Sequence, residues 1–327
     1  MYFSYRKIDS YQDLPIKVII GARGIGKTYG LKKKFIKDFL YKGKKFIWLR
    51  DNEDAIDKLT ENNGEKFFND VSKEFNNLKY KVQNNAIFIN DQHCGYFMSI
   101  STYYNYKGNA YEDIKNIGFD EFIKEKAQRT AKHRILQFVN TIETIGRTRN
   151  NYKIYMLSNA LDRNDDFFTL FDIKISSFGL YTNKKKGIAL IYAQNNPIYD
   201  KAHKESISGK LLSNTVYDDS ISNNVFMGDD KLYYTRKPPK SKLLCILHNE
   251  ENKAVRLYES GDIIYVEDDT NENQYLNKRF VNKLKNITTT TRLIPKIFKD
   301  MLKSNMSNSK IRFRNGYAYN IFTDFLS

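Results

Sequence analysis

The sequence predicts an α/β fold with a mainly parallel central sheet, followed by a smaller α+β C-terminal domain. Three observations predict it. Across residues 1–195, short apolar runs alternate with amphipathic stretches, which is typical of strands connected by helices. A glycine-rich turn joins the first apolar run to the first amphipathic stretch. In the tail, turn residues separate short runs that alternate apolar and polar residues, and this pattern indicates a small antiparallel meander.

The first predicted domain comprises residues 1–195. Its strands are expected where apolar residues run continuously, at Ile16–Ile20, Lys45–Leu49, Ile114–Phe119, Lys153–Leu157 and Ile173–Ser177. Asn84-Asn85 is predicted to turn a hairpin of Tyr80–Val82 and Ala86–Ile89, and Tyr96–Ser101 follows as a further strand-like run. Helices are expected where apolar residues recur every three or four positions, at Lys27–Tyr41, Asp54–Leu59, Glu65–Phe75 and His133–Gly146.

The remainder of the chain is predicted to be a linker, 196–227, and a C-terminal domain, 228–327. The linker is polar and contains several turn-forming residues. The expected strands of the C-terminal domain are Leu232–Arg236, Leu243–Leu247, Ala254–Tyr258 and Ile263–Glu267. Its expected helices are Leu293–Lys303 and Tyr317–Phe325.

Length and composition exclude several classes of protein. The chain has 327 residues, of which 41% are apolar and 28% charged, so it can bury a core and is neither a disordered tail nor a peptide-sized module. Cys94 and Cys245 are its two cysteines and lie far apart, which argues against a disulfide scaffold and a cysteine-rich zinc site. Since no apolar run approaches the roughly 18 residues that span a bilayer, we expect a soluble, cytoplasmic protein.

The formal charge of +16 favours a polyanionic partner, because contacts with phosphates release counterions. The excess of lysine is also what a compositional bias toward Lys, Asn and Ile would produce without any binding function. Basic residues are nevertheless concentrated in blocks: residues 273–327 contain eleven Lys and Arg against two acidic residues. A solvated surface is the alternative interpretation of each block.

The glycine-rich turn matches the pattern G-x-x-x-x-G-K-[ST] of a P-loop, between a strand and a helix as that motif requires. The backbone N–H groups of such a turn bind phosphates, the lysine neutralises the β and γ groups, and the last hydroxyl ligates Mg²⁺. The predicted nucleotide-binding residues are Gly21, Ala22, Arg23, Gly24, Ile25, Gly26, Lys27 and Thr28.

A metal-binding carboxylate is expected at Asp120, which ends a predicted strand and is followed by Glu121. In this Walker-B arrangement, Asp120 holds Mg²⁺ and Glu121 orients or deprotonates the attacking water. A solvated strand end would be the simpler explanation of either acid alone. The P-loop at a suitable separation favours the functional interpretation.

Three further sites are candidates. Ser158 and Asn159 end the next strand, where polar groups can hydrogen-bond the γ-phosphate; a helix cap is the alternative for Ser158. Arg147 lies in a loop from which it could reach a neighbouring subunit's nucleotide as an arginine finger, although it could be a plain surface arginine. Tyr104 and Lys107 lie on a glycine-tipped loop that could grip DNA phosphates, although they could also be core or surface residues.

With these sites in place, the sequence resembles the phi29-type DNA-packaging motor ATPases of small tailed phages. The resemblance is carried by five segments in the same order and at the same spacing. They are Val18–Tyr29, Phe46–Arg50, Asn109–Tyr111, Phe119–Ile123 and Leu157–Ala160.

The resemblance implies a terminase-like, additional-strand, conserved-glutamate P-loop ATPase that drives double-stranded DNA into a prohead. It implies ATP and Mg²⁺ as cofactors, Glu121 as the catalytic acid and Arg147 as the trans finger, with Arg149 left open. It also implies a pentameric ring attached transiently to the portal and prohead in the host cytoplasm, with a packaging RNA where the phage has one and no membrane partner. The tail resembles an RNase-H-like nuclease fold that has lost its catalytic acids, so nuclease activity is not expected.

Two rival functions remain open from the sequence. One is a cellular-type DNA translocase or helicase. The other is a nucleotide-gated nucleic-acid-binding protein that does not hydrolyse ATP, and Glu121 argues against it.

Overall fold

A computed structural model of the chain describes residues 3–75, 77–123, 133–159, 165–173, 175, 178–194, 197–212, 232–234, 236–250, 253–269 and 276–326. It divides into two compact units. The first comprises Met1–Asp162 and Phe178–Val225, and the second comprises Arg163–Ser177 and Phe226–Ser327. Residues 163–177 therefore group with the second unit, although the sequence pattern placed them in the first domain.

The first unit is built on a nine-stranded, mostly parallel sheet, which confirms the predicted fold class. Its strands are β1 (Ile16–Ile20), β2 (Lys45–Arg50), β3 (Tyr80–Gln83), β4 (Ala86–Ile89), β5 (Gln92–Ser99), β6 (Ile114–Asp120), β7 (Lys153–Ser158), β8 (Gly179–Asn183) and β9 (Ile188–Tyr192). They are arranged in the order β3-β4-β5-β2-β6-β7-β1-β9-β8. The six strands from β5 to β9 in this order run parallel, and the outer strands β3, β4 and β8 pair antiparallel.

Helices of the first unit precede, connect or follow these strands. They are α1 (Arg6–Asp9), α2 (Lys27–Lys42), α3 (Glu53–Phe68) and α4 (Arg134–Gly146), followed after β9 by α6 (Pro197–Glu205) and α7 (Ile207–Leu212). Residues 61–64 of α3 have non-helical backbone angles. The helices expected at Asp54–Leu59 and Glu65–Phe75 are therefore joined here by a kink. Two helices thus lie inside the segment predicted to be a linker.

The parallel strands are buried on both faces, as the continuous apolar runs predicted. Val18, Ile19 and Ile20 of β1 are completely buried. Gly118 of β6 lets α2 approach closely, because a Cβ at this position would lie 3.0 Å from Phe35 and 3.1 Å from Trp48. The core therefore fixes α2, and with it the preceding glycine-rich turn, against the centre of the sheet.

The structure differs from the expected elements of this half of the chain in three places. Residues 173 and 175 are not in a strand, and the rest of Ile173–Ser177 lies outside the described residues. Asp172 has a left-handed conformation that ends α5 (Asp166–Phe171), and Ile173 and Ile175 are buried, so the apolar character of these two residues reflects burial and not strand formation. The β8–β9 hairpin was not predicted. The strand expected at Tyr96–Ser101 is instead β5, followed by a 3₁₀ helix at Ile100–Tyr106.

The second unit contains a six-stranded sheet in the order β14-β13-β10-β11-β12-β15. Its strands are β10 (Lys242–His248), β11 (Ala254–Ser260), β12 (Ile263–Asp268), β13 (Arg279–Val281), β14 (Arg292–Leu293) and β15 (Ile311–Phe313), and its other helices are α8 (Lys296–Ser307) and α9 (Gly316–Leu326). The predicted meander is β10-β11-β12. Short parallel strands were missed at both edges, and the run expected at Leu232–Arg236 makes one bridge at Tyr233. Within the described part of the chain, no helix has the length and apolarity needed to cross a membrane.

Candidate nucleotide site

The glycine-rich turn lies between the end of β1 and the start of α2, as the motif requires. Gly24 and Gly26 have φ angles of 79° and 84°, in the left-handed region where a side chain would be strained. The Gly21 amide donates a hydrogen bond of 3.2 Å to the Ser158 carbonyl on β7. The turn is therefore fixed at the carboxyl edge of the sheet, where ligands bind in open α/β folds.

Lys27 is buried within this turn. Its Nζ donates hydrogen bonds to the carbonyls of Gly21 and Ala22, at 2.8 and 2.7 Å, and to Asn159 Oδ1 at 3.1 Å. Burial lowers the pKa of Lys27 to about 8, which Asp120 opposes and the charge of Arg23 reinforces. Arg23 itself is exposed. An anionic ligand at the turn would restore the charged form of Lys27, because an opposite charge nearby raises the pKa of an amine.

The acidic pair and the glycine-rich turn lie at the same edge of the sheet. On the two sides of β7, Asp120 is level with Leu157 and Ile20 is level with Ser158. The ends of β1 and β6 are thus one strand apart, or about 10 Å. Thr28 Oγ1 donates a hydrogen bond of 3.2 Å to Asp120 Oδ1, which brings the two expected Mg²⁺ ligands together. Burial raises the pKa of Asp120, and the charge of Arg50 opposes this.

Glu121 follows β6 and adopts a left-handed backbone conformation, with φ at 58°. Its side chain is 61% exposed, unlike the buried Asp120. Arg50, at the end of β2, joins the two acids: Nη1 lies 3.2 Å from Asp120 Oδ2, and Nη2 pairs with Glu121 Oε2. Sequence reasoning assigned no role to Arg50. A basic residue at the end of the strand next to β6 is the signal that could have identified it.

Ser158, the last residue of β7, and Asn159, which follows it, make different contacts. Asn159 reaches Lys27, as described above. The Ser158 hydroxyl instead exchanges hydrogen bonds with the backbone N and O of Ile123, at 3.3 and 3.4 Å. Ser158 therefore positions the segment that follows the acidic pair, and Asn159 is the member of the pair that contacts the glycine-rich turn.

Arg147 lies away from these groups. It follows α4 and precedes β7, so it lies near the amino edge of a strand that is six residues, or about 20 Å, long. Its side chain is exposed, and Nη2 donates to the Asn109 carbonyl at 3.2 Å. Arg149 is half-buried and donates to the carbonyls of Glu112, Ile114 and Ile145. Of the two arginines, Arg147 is the one with an accessible guanidinium.

Tyr104 and Lys107 lie on and just after the 3₁₀ helix that follows β5. Tyr104 is 59% exposed and Lys107 is exposed, with Nζ 5.5 Å from the centre of the Tyr103 ring. This segment begins at the carboxyl edge of the sheet, four strands from β1, which is about 19 Å. Both side chains are accessible and lie outside the cluster around Lys27.

Comparison with known proteins identifies relatives along most of the chain. A model of the podovirus DNA encapsidation protein family (Gp16) matches residues 1–326. The chain is homologous to the DNA packaging protein of Bacillus phage phi29, with 26% identity over 302 residues that cover 86% of this chain and 88% of that protein. It is 29% identical to the DNA packaging protein of Bacillus phage B103 over 233 residues, covering 71% and 70% of the two chains.

Two solved structures share the fold. A chain of the bacteriophage phi29 viral genome packaging motor assembly superimposes with a TM-score of 0.69 at 23% identity, covering 99% of both chains. The crystal structure of the N-terminal domain of the phi29 DNA packaging ATPase has a TM-score of 0.53 at 27% identity, covering 59% of this chain and 96% of that one. The first of these likenesses extends over both the larger and the smaller sheet.

Proposed function

Since the chain belongs to the podovirus DNA encapsidation protein (Gp16) family, we propose that it is an ATP-driven motor that moves double-stranded DNA into a viral prohead. The observation that carries the proposal is the convergence of Lys27, Thr28 and Asp120 at one edge of the sheet, with Glu121 beside them. A structural glycine turn would not need a buried lysine or a carboxylate bonded to its last hydroxyl.

The residues at this edge fit Mg-ATP. The turn from Gly21 to Thr28 would hold the phosphates through its backbone N–H groups, and the Lys27 ammonium would exchange its carbonyl partners for phosphate oxygens. Thr28 Oγ1 and Asp120 supply the hard oxygen ligands that Mg²⁺ prefers. Bound Mg²⁺ would neutralise charge on the β and γ phosphates.

Glu121 is the proposed general base. Its carboxylate is exposed enough to accept a proton from a water molecule, and Arg50 restrains it beside Asp120. Asn159 links the turn to the end of β7, so it is placed to respond to a change at Lys27. Ser158 supports the segment that follows Glu121.

Arg147 is the proposed arginine finger of a neighbouring subunit in a ring. It lies near the edge of the sheet opposite to the nucleotide of its own chain, so it could reach a terminal phosphate only in trans. Arg149 is less suited, because three backbone carbonyls occupy its guanidinium. The family relationship supports a ring that docks on a portal or prohead in the host cell, and a pentamer and a packaging RNA belong to the same proposal.

DNA contact is proposed for Tyr104 and Lys107, whose side chains are accessible at the same edge of the sheet as the nucleotide. A lysine can neutralise a backbone phosphate, and a neighbouring tyrosine can pack on the sugar-phosphate chain. In the ring, this loop would transmit the movement that follows hydrolysis.

The second unit is proposed to bind partners without nuclease activity. The Asp269 carboxylate pairs with Arg256 at 2.7 Å and with Arg279 at 2.8 Å, so two guanidinium groups take the place that a metal would need. Asp268 accepts a hydrogen bond from Asn315. Within the described ranges, no group of three metal-ligating side chains comes together. Asp218-Asp219 and Asp229-Asp230 lie outside those ranges.

The proposal is tested by phosphate release with Glu121→Gln. We expect the variant to bind Mg-ATP like the wild type and to lose about 10²–10⁴-fold in turnover, because general-base catalysis contributes that much. Glu65→Gln, an exposed glutamate on α3, is the matched control and should turn over normally. Normal turnover by Glu121→Gln would contradict the assignment. Double-stranded DNA and proheads should stimulate the wild type, whereas strand separation without proheads would favour a helicase.

A further inference from the structure

Helix α6 lies directly against the phosphate-binding turn. A Cβ added at Gly24 would overlap the phenol ring of Tyr199, including its hydroxyl oxygen. Tyr199 is the third residue of α6 and belongs to the same compact unit as the turn. Gly24 is therefore required on two grounds, its positive φ angle and the ring that packs on it.

Tyr199 is one of a pair of stacked rings. The Tyr199 phenol and the His203 imidazole are nearly parallel, with an interplanar angle of 8° and centroids 5.9 Å apart. The two residues are four positions apart and so occupy one face of the helix. Lys201 and Lys204 are exposed on the remaining surface. The face of α6 toward the turn is therefore aromatic and carries neither of these lysines.

Two polar atoms on the same part of α6 are buried without a hydrogen-bond partner among the described residues. They are Asp200 Oδ1 and His203 Nε2. Buried polar atoms are normally satisfied, and a lone unsatisfied group costs about 1–3 kcal/mol. One of these atoms belongs to the aromatic pair and the other to the residue next to Tyr199, so together they suit a ligand that offers both a flat ring and hydrogen-bonding groups.

The base and ribose of a nucleotide have this chemistry. The phosphates are accounted for by the turn, Lys27 and the Mg²⁺ ligands, whereas the nucleoside needs a π surface with a few polar groups. Two other aromatic residues near the turn are engaged elsewhere: Tyr5 donates to the Lys27 carbonyl and packs in the core, and Tyr29 hydrogen-bonds Glu74.

Resting on the proposed function, we propose that the face of α6 formed by Tyr199, Asp200 and His203 is the nucleoside-binding wall of the ATP site. Tyr199 stacks on the base or packs on the ribose at the mouth of the turn. Asp200 Oδ1 accepts a hydrogen bond from the nucleoside, and His203 Nε2 accepts or donates one according to its tautomer. The helix covers the turn and supplies the contacts that distinguish a nucleotide from inorganic phosphate chains.

The test compares Mg-ATP with Mg-tripolyphosphate, measured by calorimetry on the full-length protein. Tyr199→Ala should weaken ATP binding about tenfold, which corresponds to ~1.4 kcal/mol and is within the range of base–aromatic stacking. Tripolyphosphate binding should stay within about twofold of the wild type, because it has no nucleoside. Tyr199→Phe should retain ATP affinity, and Tyr41→Ala, an exposed tyrosine at the far end of α2, is the matched control.

The outcomes separate the two proposals. Unchanged ATP affinity in Tyr199→Ala, or an equal change for both ligands in either direction, would overturn the nucleoside wall; equal tightening would mean that the ring obstructs the turn. Tripolyphosphate binding by Tyr199→Ala itself reports that the turn is intact in that variant. If wild-type protein binds neither ligand, the proposed function fails and not only this inference.

Discussion

At the scale of single residues, Lys27 is notable because its pKa lies close to neutral pH, so that its charge depends on what surrounds it. Burial brings its pKa to about 8, so a substantial fraction of the amine is neutral at mildly alkaline pH. A bound triphosphate would favour the ammonium form. In the proposed site, nucleotide binding and proton uptake by Lys27 would therefore be coupled.

We predict that Mg-ATP affinity falls as the pH rises through about 8, by up to about tenfold per pH unit. The sign follows from the lowered pKa: below 8 the free protein already carries the charge, and above 8 it must take up a proton to bind. Calorimetry in two buffers of different ionisation enthalpy measures the uptake. Lys17→Met is the control and should show the same fall in affinity with pH. Lys17 is a buried lysine of β1 whose pKa is also about 8, but it contacts the Tyr11 carbonyl and not the turn. Affinity independent of pH between 7 and 9 would contradict the coupling.

Arg50 forms ion pairs with both acids, Asp120 and Glu121. Burial raises the pKa of Asp120, and the charge of Glu121 adds to this rise, whereas the guanidinium of Arg50 opposes it. Removing the guanidinium should raise that pKa further and leave Glu121 without its restraint.

We predict that Arg50→Gln shifts the acidic limb of the pH–rate profile upward and increases the Mg²⁺ concentration needed for half-maximal phosphate release. Asp120 would hold its proton to higher pH, and a protonated carboxyl is a poor metal ligand. Arg6→Gln, at an exposed arginine of α1, should leave both quantities unchanged. An acidic limb that does not move would show that Asp120 is not held by Arg50.

At the scale of secondary-structure elements, one buried ion pair joins three of them. Arg134, the first residue of α4, pairs with Asp51 after β2 and donates to the Phe122 carbonyl after β6. Both side chains are about nine-tenths buried. The pair therefore fixes α4 against the strand ends that carry Arg50 and Asp120.

We predict that Arg134→Met lowers the free energy of unfolding by about 3–5 kcal/mol, because the buried Asp51 carboxylate would lose the guanidinium that pairs with it. The double variant Arg134→Met, Asp51→Asn should lose less than Arg134→Met alone, since it no longer buries a carboxylate that has lost Arg134. Trp48 is the single tryptophan and is buried in β2, so its fluorescence in urea follows this unit. A double variant that loses the sum of two large single effects would rule out the ion pair as the cause.

At the scale of the whole molecule, the position of Arg147 divides the proposed catalytic machinery between subunits. Lys27, Thr28, Asp120 and Glu121 lie at the carboxyl edge of the sheet, and Arg147 lies near the other edge. A monomer would therefore have an incomplete site. If these proposed roles hold, ATP hydrolysis would depend on assembly.

We predict that mixing Arg147→Ala subunits into wild-type protein lowers phosphate release more steeply than simple dilution, because each variant subunit also disables the site of its neighbour. A trans finger contributes about 10³–10⁵-fold to turnover in related chemistry, so the loss at each such site should be nearly complete. Mixing with Arg6→Ala subunits should leave the rate unchanged. Activity that falls only in proportion to the wild-type fraction would remove the trans role.

The sequence alone determined the features that are continuous along the chain. The turn from Gly21 to Thr28, the acidic doublet at Asp120 and the central strands were predictable because an apolar run or a motif of a few residues encodes each of them. Local apolar content misled at Ile173 and Ile175, which are buried without being in a strand, and it missed β13 to β15, which are too short to show a period.

Only the tertiary structure decided which distant residues share the site. Arg50 meets Asp120, Asn159 meets Lys27 and Tyr199 packs on Gly24, although 70 to 175 positions separate the members of each pair. The strand order β2-β6-β7-β1 places these strand ends side by side, and no local pattern specifies that order. The physical reason is that hydrophobic periodicity records which face of an element is buried, whereas the partner it is buried against depends on the packing of the whole sheet.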